Sequence, residues 1–342
     1  MKKATALTTL VLLTAFISAC APATGVRTGA AAGEALVKML PKSTTGVVAL
    51  DVQRLMATEA VLKALQDPKA KLDEFVKMSG IDPAKDILYA GFGLTGAPGA
   101  AASGMQGGVI LSLKYDKARL QALIKEKAPE VREEIYNGVT VYGNLDGGQG
   151  KDQNARAAFL DDTHIALGTE AGLKGIIDVT QKKADSLTKN AEMAAVLKKA
   201  DKSGLLWGAF AVPAELVQKG IASTPQLKVL EGIKAVTLMF DDRASGVVAD
   251  IRTLGGTKDQ NSNLAGTLNG FRAMGAMFGA QEPAVGEFLN GLQITSGDDF
   301  TRISLNVSHQ VMDKLGELAK AKAGDFMKDK GKDAAAAPEV KK

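Results

Sequence analysis

The chain has 342 residues, with 42 Lys and Arg against 38 Asp and Glu and 46% apolar residues. This is ordinary globular composition with enough apolar content for a sizeable core, which excludes a collagen, a coiled coil, a disulfide scaffold and a wholly disordered chain. The net charge of +4 argues against a nucleic-acid binder, whose footprint is a clustered basic surface.

Lys2 and Lys3 form a short cationic start, Ala4 to Phe16 is apolar apart from scattered Thr, and Ile17-Ser18-Ala19-Cys20 places small residues before the only cysteine. The apolar run is too short to cross a bilayer, which takes roughly 20 residues for a core of about 30 Å, so it is a processing segment. A single cysteine rules out disulfides within the chain and multi-cysteine metal sites.

This opening resembles a bacterial lipoprotein signal. The resemblance implies a signal peptide over 1–19, cleavage between Ala19 and Cys20, a diacylglyceryl group on the Cys20 thiol, and a new amino terminus acylated by a chain such as palmitate. Several acyl chains, at about 0.8 kcal/mol per buried methylene, anchor a protein to membrane lipid without a spanning helix. Ala21 stands where an Asp would signal retention at the inner membrane, which implies the outer membrane, facing the periplasm. After cleavage 323 residues remain, and with Lys2 and Lys3 gone 40 basic residues face 38 acidic ones, a balance of +2.

Residues 20–33, rich in Ala, Gly, Thr and Pro, read as a flexible tether, and 323–342 as a disordered charged tail. Between them, Thr45 to Asp51 reads as a buried strand. Leu55, Val61, Leu62 and Leu65 supply a helical apolar stripe, and Leu72, Phe75, Val76 and Ser79 a second one ended by Gly80. Asp86–Leu94 and Gly107–Tyr115 are strands, separated by an irregular Gly/Ala run from Gly96 to Gly104. Lys117–Lys127 is a helix. Glu133–Tyr136 and Val139–Tyr142 flank Asn137-Gly138, a type I′ hairpin signal. Ala155–Leu160 and His164–Gly168 pair around Asp161-Asp162-Thr163, and Ala171–Thr180 is a helix.

The second half repeats this order: strand Leu205–Val212, helix Ala214–Gly220, then a hairpin of Lys234–Asp241 with Gly246–Leu254 around Asp242 to Ser245. A long helix from Asn261 to Phe278 and a shorter one near Val285–Leu289 follow, then the hairpin Leu292–Thr295 with Thr301–Val307, and a closing helix Gln310–Ala321. The expected fold is α+β: two tandem, pseudo-repeated antiparallel-sheet/helix halves over 34–190 and 191–322, each of split-βαβ type and each presenting one sheet face to its helices. Leu40-Pro41 with Gly46 to Asp51, Gly80 to Ile87 and the two-hairpin C-terminal half resemble a scattered set of bacterial envelope proteins. That resemblance implies a duplicated α+β fold at the cell envelope and brings no catalytic residues.

Gly91-Phe-Gly-Leu-Thr-Gly96 has the spelling of a dinucleotide loop, but Pro98 and a strand follow where the fingerprint needs a helix, so no cofactor is expected. Asp82 and Asp86 lack the further oxygen ligands of a calcium loop and read as turn and capping residues. The acidic pairs Asp161-Asp162, Asp241-Asp242 and Asp298-Asp299 sit in equivalent turns, and their convergence would make a periplasmic enzyme site. His164 and His309 form no constellation, Trp207 reads as core, and no nucleophile elbow, zinc helix or phosphate loop is spelled. The candidate binding face is Leu264, Leu268, Phe271, Met274 and Phe278 on the long helix, suited to an envelope protein or an apolar ligand, with burial against a sheet as the plainer alternative. The function that follows is a membrane-anchored lipoprotein working as a non-enzymatic binding or structural module, with the acidic-turn enzyme and the apolar-ligand carrier as alternatives.

Overall fold

The computed structural model describes residues 30–66, 68–96, 106–145, 155–279 and 281–321. The signal segment, Cys20, most of the expected tether, the Gly/Ala run after Gly96 and the charged tail lie outside these residues.

The first helix, α1 (Ala30–Val37), starts four residues inside the expected tether. It leads to β1 (Gly46–Asp51), then α2 (Val52–Met56), α3 (Glu59–Ala64) and α4 (Lys69–Ser79), and to the strands β2 (Ile87–Thr95) and β3 (Gln106–Leu113). α5 (Lys117–Lys127) precedes β4 (Arg132–Tyr136), β5 (Val139–Gly143), β6 (Arg156–Phe159) and β7 (His164–Gly168). α6 (Glu170–Thr180), a 3-10 turn (Leu187–Lys189) and α7 (Ala191–Lys199) lead into the second half. There β8 (Leu206–Ala211), α8 (Ala214–Ser223), a second 3-10 turn (Pro225–Leu230), β9 (Ile233–Arg243) and β10 (Gly246–Gly255) are followed by α9 (Lys258–Gly279), α10 (Pro283–Gly291), β11 (Leu292–Ser296) and β12 (Phe300–Val307). Residues 309–321 close the described chain as α11.

Local chemistry explains several boundaries. The stripe expected to form one helix after β1 is two, because Thr58 accepts the Val61 amide and donates to the Leu55 carbonyl at 2.8 Å, which ends one turn and starts the next. Gly80 ends α4 at φ 76, and Asn137 and Gly138 sit at φ 50 and 82, the left-handed pair that a type I′ turn requires.

Among the described residues the strands join one antiparallel twelve-stranded sheet in the order β11-β12-β10-β9-β8-β1-β2-β3-β7-β6-β5-β4. The halves meet edge to edge, β1 pairing β8 from Gly46↔Phe210 to Leu50↔Leu206. Since neighbours are antiparallel, β10 and β11 run the same way with β12 between them, joined by the α9–α10 crossover, which is a split βαβ unit. β3 and β4 form the equivalent unit through α5, with β7, β6 and β5 between them. The halves share one core: Leu36, Val47, Tyr89, Ile110, Ile176, Met193, Trp207 and Leu254 belong to a single buried cluster.

Candidate binding surface

Alternation along the strands divides the sheet into two faces. On the inner face Val47, Ala49, Tyr89, Ile110, Ala158, Ala166, Trp207, Ala209 and Met239 are all buried. α1 with the turn after it, α6 and α7 cover them, contributing Leu36, Leu40, Leu173, Ile176, Ile177, Met193 and Val196. Glycines let α1 come down: a Cβ on Gly91 would stand 2.9 Å from the Leu36 side chain, and one on Gly93 2.6 Å from that of Leu40.

The outer face is different. Following partners from strand to strand, Leu167, Val109, Phe92, Val48, Gly208, Leu238 and Ile251 form one row across seven strands. Ile165, Leu111, Ala90, Leu50, Leu206, Phe240 and Ala249 form the next. Neither row contains a polar side chain, yet Phe92 is 36% exposed, Leu167 38% and Ile251 40%, and of the others only Gly208 is fully buried, while Phe240 packs against the Val247–Val307–Val311 cluster under α11. An open sheet face is ordinarily polar, so an apolar open face marks a place for a partner.

Helices stand around this floor on the same side. α5 covers the outer strands of the first half: Gln121 donates to the Tyr142 hydroxyl at 2.8 Å, and Lys117 Nζ lies 5.9 Å over the Phe159 ring. α4 is tied to α5 by Arg119, which donates to the carbonyls of Met78, at 3.0 Å, and Lys77. On the other flank Asn269 and Arg272 of α9 donate to the backbone of β11 at Ile294, 3.3 Å, and Leu292, 3.0 Å. Val311, Met312 and Leu315 of α11 pack with Val247, Leu305 and Val307. α3 reaches toward α11, where the Asp313 charge acts on Lys63. α3, α5, α8 and α10 carry no fully buried residue, unlike the helices of the inner face. They frame a basin more than they fill it.

The residues singled out from sequence are distributed as follows. In α9, Leu264 is buried and Leu268 half-buried, so burial against the sheet holds for its first half. It fails for the second, where Phe271 is 60% and Met274 53% exposed, joined by Met277 at 76%, whose helical spacing from Met274 was legible but went unread. The Phe278 side chain lies outside what is described.

The acidic turns do not converge, which corrects the enzyme alternative. Asp241 and Asp242 are not turn residues but the buried end of β9, the turn being Ala244-Ser245. Asp298 and Asp299 lie at the other end of β10, some eight residues or roughly 26 Å along the strand. Asp161 and Asp162 are five strands from β9, about 24 Å away. Each pair has local partners: Asp241 binds Arg54 and Arg243, Asp298 faces Lys258 and Asp299 binds Lys199. Burial raises the Asp161 pKa, but the Thr163 amide and His164 outweigh it and hold the carboxyl below its usual range. Asp242 accepts His309 Nε2 at 2.8 Å, and burial pushes its pKa up. Among the described residues no cluster of three potential metal ligands occurs.

The remaining motifs are structural. Gly91 and Gly93 lie in β2 under α1. Asp82 accepts the Ala84 amide at 3.0 Å and Asp86 accepts that of Asp82 at 2.8 Å, building the turn after α4. Trp207 is core. Between α1 and α7 a cleft of about 280 Å³ is lined by Val37, Ala194, Leu197, Lys38, Lys198 and the Glu34–Lys202 pair. Lys202 holds the Glu34 carboxyl below its usual pKa. No helix of the described residues is long and apolar enough to cross a membrane.

No family model matches the chain, and no curated protein matches it. Among solved structures, crystal form III of TP0453 is similar at 10% identity and a TM-score of 0.47, covering 83% of this chain and 97% of that one. Crystal form I of TP0453 gives 8% identity and 0.46, covering 83% and 96%.

Proposed function

We propose that the protein is a lipid-anchored bacterial envelope protein, held through Cys20 at the outer membrane on its periplasmic side, and that it works by binding at the open apolar face of its sheet. The observation that carries the binding surface is the pair of apolar rows on the outer face, exposed at Phe92, Leu167 and Ile251 and only half-buried at Leu50, Leu206 and Leu238. An exposed charge there costs the fold little, while it spoils the surface for an apolar partner. The combined variant F92K/I251K is therefore expected to bind an environment-sensitive apolar dye at least tenfold more weakly than the parent at unchanged melting temperature. Equal dye binding by both proteins would remove the reading. For the anchor, Cys20→Ser is expected to abolish incorporation of labelled palmitate and to release the protein from membranes.

A second reading, docking of an envelope protein, is favoured by the exposed Phe271, Met274 and Met277, since Met-rich apolar surfaces adapt to varied partners. Crosslinking from position 274 in intact cells tests it: a discrete adduct supports protein docking there, and none removes it.

A further inference from the structure

We infer that the basin on the outer face receives the acyl chains of a membrane lipid, laid along the two apolar rows with the polar headgroup left at the rim. This rests on the reading of that face as a binding surface and names what the surface takes.

Three features select hydrocarbon over other occupants. The rows from Ile165 and Leu167 to Ala249 and Ile251 offer no polar side chain, and their backbone groups are spent in the strand ladders. A peptide segment laid there would bury N–H and C=O groups without partners, a cost that an acyl chain does not carry. The floor is also recessed. Stacked sheets must approach to about 10 Å, whereas the helices α5 on one flank and α9 to α11 on the other are themselves about 10 Å thick and occupy the same side. The flat sheet of a second copy is held off by those walls, and a thin flexible chain is not.

The dimensions agree with this. Seven strands at about 4.8 Å give a floor of roughly 30 Å, and the two rows lie about 6.6 Å apart, two residues along the strands. The acyl chains of one leaflet span half of a hydrocarbon core of about 30 Å, so roughly 15 Å. A diacyl lipid can therefore place one chain along each row. Beside the first row, on the side away from the second, a Cβ on Gly46 would stand 2.7 Å from the Phe210 ring and one on Gly208 2.9 Å from it, so that ring rests on two glycines without interlocking side chains. A binding site anchored by its own lipid tether also sits where such ligands are concentrated.

The test uses the chain from residue 20 onward with Cys20→Ser, delipidated and refolded, titrated with cis-parinaric acid and then competed with saturated fatty acids of increasing length. Each buried methylene is worth about a fourfold gain in affinity, so competition should strengthen by that factor per methylene and level off when the floor is filled. Leu238→Lys is expected to weaken binding at least tenfold; should it fail to fold, the exposed Leu167→Lys supplies the same readout. Mass spectrometry of protein purified without delipidation should find a diacyl lipid near one equivalent. Dye binding without any dependence on chain length would overturn the lipid assignment and leave the binding surface standing. So would a concentration-dependent dimer that Ile251→Lys dissolves, which would make a second copy the occupant. Loss of neither dye nor lipid binding in the floor variants would overturn both.

Discussion

Trp207 donates its indole N–H to the hydroxyl of Tyr89 at 3.1 Å across the seam between the two halves, and both side chains are fully buried. They belong to β8 and β2, the two neighbours of β1, and Gly33 of α1 comes down on both: a Cβ there would stand 3.1 Å from each ring. One cluster of contacts thus ties both halves to α1.

Removing either partner leaves the other as a buried polar group without its bond. Trp207→Phe and Tyr89→Phe are each expected to cost about 1–3 kcal/mol, and the double variant less than the sum, because the second change removes the orphan left by the first. Urea unfolding of the three variants measures the coupling.

Burial pushes the Tyr89 and Tyr115 pKa values up to about 12, the nearby carboxylates of Asp161 and Asp162 adding to this at Tyr115. The folded chain therefore keeps protons that the unfolded chain releases near pH 10. This contribution to stability is complete below pH 10 and is lost as pH rises toward 12. Tyrosinate absorbance should lag in the folded protein and rise together with loss of its circular dichroism, and Tyr89→Phe should flatten the alkaline slope.

The two ends of α9 should respond oppositely to substitution. Leu264→Ala removes a buried side chain and is expected to cost about 2–5 kcal/mol, while Met277→Ser and Phe271→Ser, at exposed positions, should stay within about 0.5 kcal/mol. Thermal melts of the three variants decide it.

Cutting the chain between residues 190 and 205 exposes the β1 edge that β8 covers. An unpaired central edge with an apolar face on each side associates with copies of itself. The fragment 30–190 alone is expected to elute as aggregates, and coexpression with 191–321 to restore a soluble complex.

The duplicated α+β pattern, the Asn137-Gly138 hairpin, the Gly80 helix stop and the split-βαβ crossovers were all legible in the residues, because each rests on contacts within a few positions or on strand counting. The enzyme alternative failed because a sequence cannot say that Asp242 and Asp299 lie at opposite ends of β10. For Phe271 the choice between binding face and buried stripe stayed open, because helical spacing gives a stripe without saying how far along the helix its cover extends.

The sequence by itself settled that Gly46 to Leu50, Tyr89 to Leu94 and Leu206 to Ala211 are apolar at both parities, the mark of strands covered on both sides. Only the tertiary structure decided that α1, α6 and α7 cover one side and that the other is left as an open floor between α5 and α9. Apolar character is written residue by residue, but the side on which a crossover helix lands depends on strand order and register over the whole sheet, and no local stretch of chain encodes that.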